Sequence, residues 1–161
     1  MTIIILSIIF LIVDQITKIL VVNSLVPGEN IEIIKNIFSI IYTNNTGAAF
    51  SILLGKRIFL IVVAVLIIGV LLYYIKRNKI EKKIDIIALS FVIGGSIGNL
   101  IDRIVRGYVI DFISIKLGNY NFPIFNVADI LIVIGVFLLL LSSRRRQSDD
   151  NKWKRYRKEN R

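Results

Sequence analysis

The sequence predicts a membrane protein, mainly α, with four transmembrane helices and a small extracytoplasmic β-rich cradle. Three observations predict it. Four apolar runs approach the roughly 20 residues that a helix needs to cross a bilayer. They are Thr2 to Val22, Ile58 to Ile75, Ile84 to Ile101 and Ile124 to Leu141. Hydrophobic residues make up 55% of the chain while 20% are charged, so the charges must be segregated from those runs. The basic residues gather in two places, five in the connector 76–83 and nine beyond Ser143, out of 21 in all.

Basic clusters beside long apolar runs mark cytoplasmic segments held by anionic lipid. An even number of spans puts the connector and the C-terminal tail on one side, so both termini are expected in the cytoplasm of a bacterial inner-membrane protein. Segments 23–57 and 102–123 then face outward. Residues 1–141 read as one four-helix domain and 142–161 as a basic, disordered cytoplasmic tail. The first run reads as a retained helix rather than a cleaved leader. No basic stretch precedes it, no small-x-small site follows it, and Asp14 interrupts it.

In segment 23–57, Pro27-Gly28 marks a turn, and Ile31 to Tyr42 is rich in β-branched and aromatic residues. One or two short strands are expected there. Asn44-Asn45-Thr46-Gly47 reads as a turn before Ala48-Ala49-Phe50, and the whole as an apolar platform on the membrane surface. Segment 102–123 reads as a loop.

The chain has no Cys and no His. Disulfides, cysteine nucleophiles, His-based triads and the usual zinc sites are thereby excluded, and no cofactor or metal is expected. Carboxylates, Lys, Ser, Thr and Tyr remain for catalysis. The net charge of +10 raises the question of nucleic acid, but its clustering beside the spans points to lipid headgroups instead. Trp153 and Tyr156 interleave with basic residues, which keeps an RNA-binding tail as an alternative. No nucleic-acid partner is expected.

Ionisable groups at membrane depth are costly and mark functional sites by default. Apart from Asp85, at the mouth of the third run beside the connector, those here fall toward the outward ends of the spans. Asp14 and Lys18, four apart on a helix with the acid first, fit an internal ion pair. Gly94 and Gly98 have the spacing of close helix packing, and glycines beside Asn99 could also admit a peptide backbone. Asn99 and Arg103 share a face, and Arg103 next to Asp102 reads either as an interfacial anchor or as a positive charge that positions the loop carrying Asp111. Asp111 lies in the outward loop among apolar side chains, and Asn126 and Asp129 open the last span. Two carboxylates brought together without a metal share a proton, so one acts as base toward water and the other as acid. Spacing alone leaves two separate interfacial acids, or a proton relay, equally open.

Five motifs occur in order: Asp14-Gln15-x-x-Lys18; Asn45-Thr46-Gly47-Ala48-Ala49-Phe50; Gly94-Gly95-x-x-Gly98-Asn99-x-x-Asp102-Arg103; Gly107-x-Val109-x-Asp111-Phe112; and Phe125-Asn126-x-Ala128-Asp129. Together they closely resemble lipoprotein signal peptidase, also called signal peptidase II. The resemblance spans residues 14 to 129. It implies a four-helix aspartic endopeptidase that cuts prolipoprotein signal peptides before a diacylglyceryl-modified cysteine. Asp111 and Asp129 match the family's catalytic dyad. Asn45, Gly47, Gly95, Asn99, Arg103 and Asn126 match positions lining the site, and Asp14 and Lys18 match the first box. Diacylated prolipoproteins, membrane lipid and globomycin-class inhibitors are the implied partners.

Two rival readings draw on some of the same residues. A Ser–Lys peptidase would use Lys18 as base, but Ser90 and Ser96 lie on another helix without a matching motif. A proton-coupled transporter would use Asp14, Asp111 and Asp129 as a relay, yet its acids should be spread through the membrane depth.

Overall fold

The computed structural model describes residues 1–47 and 53–159, with side chains up to Arg144. Four helices carry the four apolar runs: α1 (Thr2–Ser24), α2 (Arg57–Arg77), α3 (Lys83–Val105) and α4 (Val127–Glu159). Each is long and apolar enough to cross a membrane, in α4 through the stretch Val127–Arg144. Four antiparallel strands complete the described chain: β1 (Asn30–Ile34), β2 (Phe38–Asn45), β3 (Val109–Leu117) and β4 (Tyr120–Asn121), in the order β1-β2-β3-β4.

The helices are inverted relative to those of a water-soluble bundle. In α1 the buried stripe is Ile3, Ser7, Asp14, Lys18 and Val21, one face at helical spacing. Outward-facing positions such as Ile4, Ile8, Ile12, Ile16 and Ile19 are exposed. Lipid solvates such side chains, so the polar residues have gone inside.

Helix α3 is the centre of the bundle and packs against the other three helices. Glycines let it approach closely. A Cβ on Gly94 would lie 2.7 Å from the Ser7 carbonyl of α1, and one on Gly98 would fall on the Asp14 carboxylate. A Cβ on Gly95 would lie 2.6 Å from the Ala128 carbonyl of α4. Adjacent glycines thus serve two different neighbours. Overpacking of this kind typically costs about 1–3 kcal/mol. Gly95→Ala is therefore expected to push α4 outward, lowering both the unfolding midpoint in detergent and any activity that depends on Asp129. An unchanged midpoint would show that the interface has slack.

Segment 102–123 is not a loop. Val109–Leu117 forms the sheet's longest strand, pairing Asn45 with Val109 and Thr43 with Asp111. Val109, Ile110, Asp111 and Phe112 are all buried, so both faces of the strand are covered and no apolar–polar alternation marks it. Ile110 and Phe112 pack with Val21, Leu25 and Tyr42, seating the sheet on the end of α1. Gly107, at φ +88°, turns the chain out of α3 and into β3. Arg57 completes that corner, donating from Nε to the Arg103 carbonyl (2.7 Å) and from Nη2 to that of Ile104 (2.9 Å). Those carbonyls have no partner within the helix end.

The tail also differs from expectation. Helix α4 continues through the basic segment to Glu159 instead of ending near Leu141. Most residues from Ser142 to Glu159 are adequate helix formers, and the segment contains no Pro or Gly.

Candidate active site

Asp111 and Asp129 come from the two sides of the corner between sheet and bundle. Asp111 lies on β3 and is 3% exposed. Asn45 pairs with Val109, which makes Asp111 its diagonal neighbour on the same face of the sheet. Its Nδ2 donates to Asp111 Oδ2 at 2.7 Å. Asp129 is the third residue of α4 and is half-buried. Asn126, just before the helix, forms a reciprocal cap with it. The Asp129 N–H donates to Asn126 Oδ1 (3.0 Å), and the Asn126 N–H donates to Asp129 Oδ2 (3.2 Å).

Asn126 joins the two acids. While its backbone serves Asp129, its side-chain Nδ2 donates to Asp111 Oδ1 at 2.6 Å. Asn99, from α3, donates to Asp129 Oδ1 at 2.8 Å. Each asparagine amide is locked because its carbonyl oxygen is already taken. Gly47 N–H donates to Asn45 Oδ1 (2.8 Å), Asp129 N–H to Asn126 Oδ1 (3.0 Å) and Lys18 Nζ to Asn99 Oδ1 (2.9 Å). All three amides therefore turn N–H groups toward the carboxylates.

Burial pushes the Asp111 carboxyl up to about 6, and the charge of Asp129 adds to the rise. The N–H groups of Asn45 and Asn126 and the charge of Lys18 oppose it without cancelling it. The carboxyl thus retains its proton well above the ordinary carboxylate range.

Arg103 reaches across the site. Its Nη2 donates to the Gly47 carbonyl (3.1 Å) and Nη1 to the Asn99 carbonyl (3.3 Å), tying the turn after β2 to α3. Gly95 stands differently. It is a packing position beneath Ala128, one residue from Asp129, and its role is steric rather than polar. Ala48, Ala49 and Phe50 lie outside the described residues.

Asp14 and Lys18 form the expected ion pair at 2.9 Å, both fully buried. Asp102 joins that pair, while its neighbour Arg103 is turned into the site rather than serving as an interfacial anchor. Asp102 is fully buried, 2.8 Å from Lys18 Nζ and 2.6 Å from Arg106 Nη1. Two acids and two bases thus balance inside the protein. The i, i+4 spacing of Asp102 and Arg106 was the available signal, masked by the adjacent Arg103.

A family model described as signal peptidase (SPase) II matches residues 6–145. The chain belongs to the signal peptidase II family. A lipoprotein signal peptidase of Symbiobacterium thermophilum is 44% identical over 138 residues, covering 86% of this chain and 91% of that protein. Lipoprotein signal peptidases of Clostridium novyi (47% over 133 residues, 81% and 89% covered) and Bacillus subtilis (44% over 128, 80% and 83%) are similar too. A bacterial membrane enzyme structure determined by the in meso method at 2.3 Å resolution superposes with a TM-score of 0.85. It is 33% identical and covers 92% of this chain and 90% of that one.

As a signal peptidase II family member, the chain is a membrane peptidase, and the geometry bears on the Ser–Lys alternative. Lys18 spends its donors on Asp14, Asp102 and Asn99. Ser90 lies near the opposite end of α1, bonded to the Ile86 and Ile3 carbonyls (2.7 and 3.2 Å). The two do not meet.

Proposed function

We propose that this chain is an aspartic endopeptidase that removes signal peptides from diacylglyceryl-modified bacterial prolipoproteins, cutting before the lipidated cysteine. The observation that carries the reading is the pair Asp111 and Asp129, bridged by Asn126 and surrounded by amide donors. With one proton between them, one carboxylate takes a proton from water as its oxygen attacks the scissile carbonyl carbon. The protonated partner hydrogen-bonds the carbonyl oxygen as negative charge develops there. Collapse of the tetrahedral species breaks the C–N bond, and the departing amine takes a proton from the dyad. Asp111, which holds its proton to about 6, suits the acid role once bound substrate excludes more water.

A site beside a sheet suits a peptide held extended, because the carbonyls of a helical peptide are occupied. A site at the end of the bundle leaves the substrate's acyl chains in lipid. Globomycin-class inhibitors are proposed to occupy the same site. The deciding assay incubates the purified protein with a diacylated prolipoprotein. Signal-peptide release that persists in EDTA is expected, whereas a requirement for added divalent metal would recast the aspartates as ligands.

The proposed setting is the bacterial inner membrane, with both termini and the connector 76–83 cytoplasmic and the dyad toward the outer face. It rests on the basic residues of that connector and of the C-terminal segment. Lys79→Cys is expected to resist an impermeant thiol reagent in intact cells and to react once the membrane is opened. Labelling in intact cells would invert the topology.

A further inference from the structure

Lys18 has no contact with solvent, and its ammonium carries three N–H groups. It meets three acceptors: Asp14 Oδ2 at 2.9 Å, Asp102 Oδ2 at 2.8 Å and Asn99 Oδ1 at 2.9 Å. Each acceptor is bonded onward to a member of the carboxylate pair or to the residue before one. Asn99, its carbonyl occupied, turns Nδ2 to Asp129 at 2.8 Å. Asp14 Oδ1 accepts the Ala128 N–H at 3.0 Å, one residue before Asp129. Asp102 Oδ2 accepts the Ile110 N–H at 3.4 Å, one residue before Asp111. The ammonium is the point at which α1, α3, α4 and β3 are registered against one another.

We propose that Lys18 is a positioning residue for the peptidase reaction, its ammonium orienting the Asn99 amide and setting where the two carboxylates stand. This rests on the dyad reading. A purely structural Lys18 would only neutralise Asp14 and Asp102. The two roles separate when the charge is balanced another way. In the double variant Asp14→Asn/Lys18→Met, Asp102 keeps Arg106 as its counter-ion and the site gains no net charge. The amide oxygen introduced by Asp14→Asn can still accept the Ala128 N–H. Asn99, however, has lost the shorter and charged of its two donors, Lys18 Nζ at 2.9 Å, and keeps only Asn126 Nδ2 at 3.3 Å, which is itself shared with Asp111.

The experiment compares this double variant with wild type in detergent or lipid, measuring membrane abundance, unfolding midpoint, kcat and KM on a diacylated prolipoprotein. Near-normal abundance and midpoint are expected, with kcat lower by about 10²-fold, the scale of a small misplacement of reacting groups. KM should stay unchanged. Asn99→Ala should cost little more in that background, although it is costly alone, because both changes remove the same orienting contact. Wild-type kcat in the double variant would overturn the proposal, and so would a full Asn99→Ala penalty there. If the double variant does not accumulate, Lys18→Arg decides. It retains the cation, but a planar fork does not converge three bonds on one nitrogen. Accumulation with reduced kcat is expected, and wild-type kcat would show that charge alone suffices. Failure of the dyad reading looks different, since Asp111→Asn or Asp129→Asn would then turn over whatever stands at 18.

Discussion

Asp111→Asn and Asp129→Asn are each expected to abolish prolipoprotein cleavage, by about 10³-fold or more, while the protein still reaches the membrane. The magnitude is that of removing a general acid or base. Asparagine matches the shape but cannot exchange the proton. It also introduces a second mismatch. Both Asp111 oxygens accept from amide N–H groups, of Asn45 and of Asn126, so an NH2 at position 111 meets a donor. Those amides cannot simply flip, since their carbonyls are occupied. A stability loss of about 1 kcal/mol should accompany the lost activity in Asp111→Asn. The double variant should be little worse than either single one, because in the proposed mechanism the pair works as a unit. A direct check on the pairing is titration of the Asp111 carboxyl by its infrared band. In Asp129→Asn the neighbouring negative charge is gone, so that pKa should move down from about 6. The window in which the carboxyl is protonated then contracts toward acid pH. An unmoved band, or substantial turnover by either single variant free of wild-type enzyme, would remove the aspartic mechanism.

Lys18→Ala should have the second largest effect, of another kind. It strips the counter-ion from Asp14 and leaves Asp102 with Arg106 alone, both acids being wholly buried. Removing one partner of a buried pair typically costs about 3–5 kcal/mol, a large part of any domain's stability. The expected outcome is a sharp drop in membrane abundance, read by quantitative immunoblot beside a chromosomal control. Normal abundance of Lys18→Ala would show that water or local rearrangement relieves the two carboxylates.

Helices were legible because lipid imposes an unbroken apolar run, whatever the packing. Helix α1 could be placed at Thr2 from composition alone. Strand β3 could not, because the signal for a strand is alternation and Val109 to Phe112 are buried on both faces. An isolated acid there reads as a loop residue. Within the site, the asparagines were visible as polar groups out of place at membrane depth, and the motifs supplied their grouping. What they do was not visible. Amide orientation depends on partners such as Gly47 N–H and Lys18 Nζ, the latter 81 positions from Asn99. The ion-pair role of Asp102 was hidden in part for the same reason, since one of its partners, Lys18, lies on another helix far off in sequence. Gly95 shows the converse, a motif position whose task is to let two backbones touch.

Together with the proposed reaction, the reciprocal cap between Asn126 and Asp129 places two selective pressures on one codon. A descendant that lost peptidase activity would still need a group at position 129 to start α4, so Asp, Glu, Gln or Asn should persist there. Position 111 caps nothing, but an apolar residue there would leave the amide N–H groups of Asn45 and Asn126 short of an acceptor, so its loss should be accompanied by change at Asn45. Inactive lineages should therefore be recognised by joint replacement of the strand aspartate and Asn45, while a capping side chain persists at position 129 as a fossil of the fold.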